Sequence, residues 1–189
     1  TVTDQVKAAK AAQAGLRDQL AKTPLAEVSK NPALLQFATA GGKAIFADNC
    51  AACHGRGAQG GVGYPNLNDD DWIWGGKVES IEQTIKHGIR WSESKDTRDS
   101  AMPRFGLDGM LQPAQISDTA EYALSLSGAS KDAAAAGRGK AIFAEQCVAC
   151  HGEDGKGNQE LGAPNLTDAI WLFGNKKADV EQSITTGRG

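Results

Sequence analysis

A duplication limits what this chain can become. Residues 42–55 read GKAIFADNCAACHG and residues 139–152 read GKAIFAEQCVACHG, identical at 11 of 14 positions across an offset of 97. Downstream, Pro65-Asn66-Leu67 and Trp72 recur as Pro164-Asn165-Leu166 and Trp171, and Glu82-Gln83 and Gly88 recur as Glu181-Gln182 and Gly187. The offset widens to 99 within a Gly-rich loop, where insertions are best tolerated. Two copies are a tandem duplication, too few for a solenoid. The expected organisation is a leader of residues 1–40, a first domain at 41–127, a small polar linker at 128–137 and a second domain from 138 to 189. The second copy matches the first only as far as about residue 90, so it is C-terminally incomplete.

Helical periodicity dominates both copies. Val2, Val6, Ala9, Gln13, Leu16 and Leu20 make a 4-3-4-3-4 seam that Pro24 stops. Ile45 and Phe46 share a helix face before the first Cys pair. Val78, Ile81 and Ile85 lead to Gly88, a C-terminal stop. Pro113 opens a helix with Ile116, Ala120, Ala123 and Leu124 on one stripe. No alternating strand run is present, so the expected class is all-α with long loops. The 23 glycines among 189 residues agree with the loops, while only 11 Phe, Trp and Tyr residues supply the core.

The chemistry lies in the cysteines. All four fall in Cys50-Ala51-Ala52-Cys53-His54 and Cys147-Val148-Ala149-Cys150-His151, the attachment pattern for c-type haem. Two thiols one helical turn apart reach the two vinyl groups of a porphyrin, and the following His supplies a proximal nitrogen to iron. The competing chemistries fit less well. A structural zinc site draws its pairs into one tetrahedral cluster, commonly from pairs about 15–20 residues apart; these pairs lie 97 apart, each with its own His. A thioredoxin-like dithiol expects a βαβ setting, which is absent. Two covalent haems would also compensate for the thin core, with Phe46 and Phe143 packing beside them. Haem attachment outside the cytoplasm points to the periplasm.

Charge excludes other classes. The net charge of −3 divides into +2 over residues 1–40, −4 over 41–129 and −1 over 130–189. Nucleic-acid binding needs clustered Lys and Arg to displace counterions, and no such patch exists. The longest apolar stretch, near residues 33–42, falls short of the ~20 residues that span a bilayer. The mildly acidic first copy, with Asp69–Asp71 at its centre, suits a basic partner.

Each haem motif is followed by a Gly-rich loop and then Pro65-Asn66-Leu67 or Pro164-Asn165-Leu166. These resemble the Gly-Pro-x-Leu loop of class I cytochromes c, with Tyr64 or Ala163 in place of Gly. The resemblance implies that the Pro65 and Pro164 carbonyls orient the proximal imidazoles, and that Leu67 and Leu166 pack on the porphyrins. The expected architecture is two tandem class I cytochrome c-like domains preceded by an N-terminal helix. It also implies Met102, in a Met-Pro dipeptide after His54 and before the last helix, as the distal ligand of the first iron. His87, Met110 and an open iron are the alternatives. His87 reads better as a helix-end residue, and Met110 as a gap-filler. Residues 137–189 contain no Met, and His151 is their only His; the expected account is that the polypeptide continues to a counterpart of Met102, with an open iron or a borrowed ligand as the alternatives.

The run Tyr64-Pro65-Asn66-Leu67-Asn68-Asp69-Asp70-Asp71-Trp72-Ile73-Trp74-Gly75-Gly76 and the helix through His87 are more particular. They resemble the dihaem subunit III of cbb-type cytochrome c oxidases. That resemblance implies two covalent haem c groups and a position on the periplasmic side of the bacterial inner membrane. It implies membrane association through a segment absent from these residues. Its expected partners are the monohaem and catalytic oxidase subunits and a donor cytochrome c or cytochrome bc complex. The role is electron transfer with no catalytic residues. A soluble dihaem carrier, or the cytochrome subunit of a periplasmic dehydrogenase, is the alternative; a dihaem peroxidase fits less well.

Overall fold

A computed structural model describes residues 1–189 as nine α-helices joined by loops, with isolated β-bridges and no strand. No helix is long and apolar enough to cross a membrane. The chain divides into two compact units, residues 1–58 and 59–189.

In the first unit, α1 (Val2–Lys22) opens at Thr1, whose hydroxyl accepts from the Asp4 amide while the Asp4 carboxylate takes up the Thr1 amino group. Pro24 keeps the chain from continuing it. A short α2 (Leu25–Val28) follows, and then α3 (Pro32–Asn49), capped by the Asn31 side chain on the Leu34 amide at 3.1 Å with Pro at its start. Leu34 and Val28 are buried, and α1 and α2 both pack on α3. The apolar seam of α1 is half-buried at Leu16 and Leu20 and exposed at Val2 and Val6. The four-residue α4 (Ala51–His54) closes the unit.

The second unit holds α5 (Val78–His87), α6 (Pro113–Leu126), α7 (Ala133–Gln146), α8 (Val148–His151) and α9 (Lys177–Thr186). Its centre is α6, which packs on both α7 and α9. Phe105, Leu111, Ile116, Ala120, Ala123 and Leu124 from the first copy form one core with Val180 and Ile184 from the second. The α6–α7 crossing is so close that a Cβ on Gly139 would overlap the Asp118 carbonyl oxygen. The packing adds two details to the organisation read from the repeat. The break between compact units falls inside the first copy, because the apolar stripe of α6 is spent on α7 and α9. The segment 128–137, read as linker, is already helical from Ala133, because Asp132 caps the Ala135 amide at 2.9 Å and alanine is the best helix former.

Glu121 ties the turn between α6 and α7. It is buried, and its carboxylate accepts from Ser130 Oγ at 2.6 Å and from the Lys131 and Asp132 amides at 3.2 and 3.4 Å, with Lys177 Nζ at 3.3 Å. The Ser130 hydrogen bond is the largest of the influences that together hold its carboxyl below the ordinary 4.5. A carboxyl with a lowered folded-state pKa stabilises above its unfolded pKa, and that stability is lost as pH falls through the folded value. Glu121→Gln should therefore be less stable than the parent by about 1–3 kcal/mol at neutral pH. The gap should shrink progressively below about pH 4.5. Urea midpoints measured from pH 7 to 3 check this; a gap constant with pH would contradict it.

Candidate haem-attachment sites

Both Cys-x-x-Cys-His segments fold into the same backbone device. The long helix ends at the first Cys, where φ/ψ is −112/−30 at Cys50 and −116/−29 at Cys147, and a short helix carries the second Cys and the His. The amide of each first Cys donates to the residue four before it, Phe46 or Phe143, at 2.9 Å. Each His amide donates back to its first Cys carbonyl, also at 2.9 Å. Gly55 and Gly152 then turn the chain away with φ of 81 and 79, left-handed backbone that suits glycine. The two thiols and the imidazole of each motif are thus presented within five consecutive residues.

The second motif is enclosed by its own loop. His151 Nδ1 lies 3.1 Å from the Pro164 carbonyl oxygen. A carbonyl only accepts, so Nδ1 carries the proton and the Nε2 lone pair is left for a metal. Burial pushes the imidazole pKa down, with the hydrogen bond to Pro164 acting the other way. Burial, with the neighbouring Cys150 thiol, pushes the Cys147 thiol up to about 11. An apolar, protonated thiol is the reverse of the low-pKa thiolate that dithiol redox enzymes use. The Gly157 amide donates to the His151 carbonyl at 2.8 Å and the Leu166 amide to the Gly155 carbonyl at 2.7 Å, which draws the loop over the motif. Phe143 lies 6.4 Å from the His151 ring, centroid to centroid.

These features fit a haem. The donor set is paired thiols with an adjacent imidazole, and no three His, Cys, Asp or Glu side chains converge as a metal cluster. Arg188 adds a buried Nε with no hydrogen-bond partner, while its guanidinium stacks 3.8 Å from the Phe173 ring centroid. A propionate would satisfy such a donor.

The profile of the family described as cytochrome c matches residues 39–127 and 136–186, one stretch for each copy. The chain belongs to the cytochrome c family. Membership brings covalently bound haem c. This cytochrome is also 52% identical, over 99% of its length, to the Cbb3-type cytochrome c oxidase subunit CcoP of Cereibacter sphaeroides, covering 64% of that protein. It is 50% identical over 98% of its length to subunit FixP of Sinorhizobium medicae, and 52% identical over its whole length to FixP of Azorhizobium caulinodans, again covering 64% of each. The chain therefore spans about two-thirds of the length of these relatives.

The remaining expected site residues are dispersed in an informative way. Cys50, Cys53 and His54 lie in the first unit of the cytochrome, and Pro65, Leu67 and Met102 in the second, together with Cys147, Cys150, His151, Pro164 and Leu166. Sequence order assigned Met102 to the His54 iron; the structure binds its backbone to Arg188 and packs its side chain on the core of α6 and α9. His87 ends α5 with Nδ1 at 3.1 Å from Ser94 Oγ. Met110 is 51% exposed and fills no gap.

Sequence reasoning did not foresee that the two Pro-Asn-Leu loops interlock. The Gly63 amide donates to the Leu172 carbonyl at 2.8 Å, and Gln159 Nε2 donates to the Trp72 carbonyl at 2.8 Å. The Trp74 ring lies against Gly162, where any Cβ would overlap it. The Arg98 guanidinium lies over the Trp74 ring at 5.1 Å from its centroid. Asp71, its carboxyl pushed up by burial and by the nearby Asp168 and Asp69 charges, lines a cavity of about 160 Å³ with Trp72, Gln159 and Pro164. The repeated Trp72 and Trp171 were the available signal.

Proposed function

We propose that this chain is the dihaem electron-transfer subunit of a cbb-type cytochrome c oxidase on the periplasmic side of the bacterial inner membrane. It would pass electrons from a donor cytochrome c or cytochrome bc complex, through the monohaem subunit, to the oxygen-reducing subunit. It would be held at the membrane by a segment that residues 1–189 do not contain. The observation that carries the reading is the doubled Cys-x-x-Cys-His turn, folded to the same dihedral angles in both copies. The names of the relatives support the oxidase assignment.

Bound haem supplies one-electron iron chemistry. The chain's own residues do the rest. Cys50 and Cys53, and Cys147 and Cys150, form the thioethers, while His54 and His151 supply proximal nitrogens. The Pro164 carbonyl fixes the tautomer and rotation of His151 and raises its basicity as a ligand. Leu67 and Leu166 are assigned to the porphyrin faces, and the Pro65 carbonyl to orienting His54. No side chain of the chain makes or breaks bonds in a substrate.

Expressed with covalent haem attachment, the full-length protein should have a denatured mass equal to the polypeptide plus two haems. Cys147→Ser with Cys150→Ser should remove one. The intact protein should copurify with the oxygen-reducing subunit. A single haem in the parent, or copurification with a dehydrogenase instead, would overturn this reading.

A further inference from the structure

We propose that Trp74 is a positioning residue for the haem on Cys147 and Cys150: from the first copy it clamps the loop whose Pro164 carbonyl holds His151, and so sets the potential of a haem it does not ligate. The proposal rests on the two-haem reading above and concerns a joint that lies wholly within residues 59–189.

The loop from Gly155 to Leu166 is tied to the imidazole at both ends. The Gly157 amide donates to the His151 carbonyl, and the Pro164 carbonyl accepts from His151 Nδ1. Between them the Asn158 and Ala163 amides each donate to the other's carbonyl, at 2.9 and 3.0 Å, and close the tip. The returning chain runs so near Gly157 that a Cβ there would overlap the Ala163 carbonyl oxygen. A displacement at Gly162 is therefore carried to Pro164, two residues beyond it.

The tip is built to be held. Gly60 and Gly157 match at the offset of 97, whereas Gly63 and Gly162 match at 99, so the two residues that the second copy gains lie between Gly157 and Gly162. In the first copy the turn is shorter, closed by the Gly61 and Tyr64 amides on each other's carbonyls at 2.9 Å. The longer tip reaches first-copy residues. Gln159 Nε2 donates to the Trp72 carbonyl at 2.8 Å, and the Trp74 indole lies against Gly162. Only glycine admits that ring, because a Cβ would overlap indole Cζ2 and Cε2 and because φ 61 is left-handed backbone.

Trp74 is anchored in turn from α5. The Arg98 guanidinium over its ring supplies a cation–π contact. Arg98 Nε donates to Thr84 Oγ1 at 2.9 Å and Nη2 to the Ser80 carbonyl at 3.1 Å, which fixes the guanidinium on that helix. Contacts thus run from α5 through Arg98, Trp74 and Gly162 to Pro164 and His151.

The reciprocal contact is looser. The repeat puts Phe173 in the place of Trp74 and Gly63 in the place of Gly162. A Cβ on Gly63 would sit 3.6 Å from the Phe173 ring, an ordinary contact, where Gly162 has no room. The second loop is therefore the more tightly constrained of the two. Weakening the hydrogen bond from His151 to Pro164 makes the imidazole a poorer donor to iron. A poorer donor favours Fe(II) and raises the potential.

The test uses the full-length two-haem protein, each haem's NMR resonances being assigned through cross-peaks to its own cysteine thioethers. Trp74→Ala should raise the potential of the haem on Cys147 and Cys150, shifting its reduction equilibrium about tenfold (~59 mV for one electron), and should speed solvent exchange of the His151 Nδ1 proton by about tenfold. Trp74→Phe, which keeps a ring against Gly162, should recover most of both. Gln159→Ala changes an exposed side chain and should move both readouts the same way by less. The haem on Cys50 and Cys53 should shift less than the other in every variant. An unchanged potential and exchange rate in Trp74→Ala, or equal shifts at the two haems, would overturn the proposal. If Trp74→Ala does not fold, Gln159→Ala decides, and an unchanged His151 exchange rate there would overturn it. A parent with one haem by denatured mass fails the two-haem reading, whereas the proposal stands or falls on the haem held by Cys147 and Cys150.

Discussion

Gly139→Ala is expected to destabilise the protein strongly, whereas Gly42→Ala, the same position of the repeat, is expected to be neutral or stabilising. The local sequences are almost identical, so helix propensity alone would favour alanine at both by up to about 1 kcal/mol. The surroundings differ. A Cβ at Gly42 meets nothing within 4 Å. A Cβ at Gly139 meets the backbone of Asp118 and Thr119, including the Thr119 nitrogen at 2.9 Å, and backbone cannot rotate away as a side chain can. Helices α6 and α7 would have to separate, costing about 3 kcal/mol or more by analogy with other overpacked cores. Separation would also stretch the Asp118–Arg138 contact and the turn held by Glu121. Urea midpoints for both variants, at unchanged m-value, measure the contrast. Equal effects at the two glycines would show that α6 does not cross α7 this closely.

Phe143→Ala should be the other severe change, at about 4 kcal/mol, the range for emptying a buried aromatic site. Phe143 is 3% exposed and sits between Tyr122 on one side and His151 on the other. Its loss removes packing from the α6–α7 crossing and support from the imidazole in one step. Phe46 holds the equivalent place in the first copy but is only half-buried, so Phe46→Ala should cost less than half as much. Thermal unfolding gives the stability term. Equal losses would contradict the different burial of the two rings.

The two Cys-x-x-Cys-His turns were legible because their local geometry is set by a few neighbouring residues. Two thiols and a His on one turn need no distant partner, and the backbone around Cys50 and Cys147 comes out alike from nearly identical sequence. Helix positions were legible from periodicity and stops, as at Pro113 and Gly88. Boundaries were less so. Helix α3 starts at Pro32, ahead of the expected domain start, because Asn31 caps it and Gly41-Gly42 is carried within a helix already under way. Ala133–Ala136 looked like spacer by composition, yet a cap at Asp132 makes the same residues a first turn.

The sequence by itself determined an all-α chain of the cytochrome c family with two Cys-x-x-Cys-His turns, because the motif and helical periodicity act over a few residues. Only the tertiary structure decided which helices α6 packs against. Helices α3 and α7 present nearly the same face, so the apolar pattern of α6 could not choose between them. The choice rests on groups 20 to 86 residues apart in the chain: the Asp118–Arg138 and Glu121–Lys177 pairs, the missing Cβ of Gly139, and the Met102–Arg188 backbone pair. Each becomes meaningful only when the chain has brought its members together, which is why the two haem motifs read as equals and the fold treats them differently.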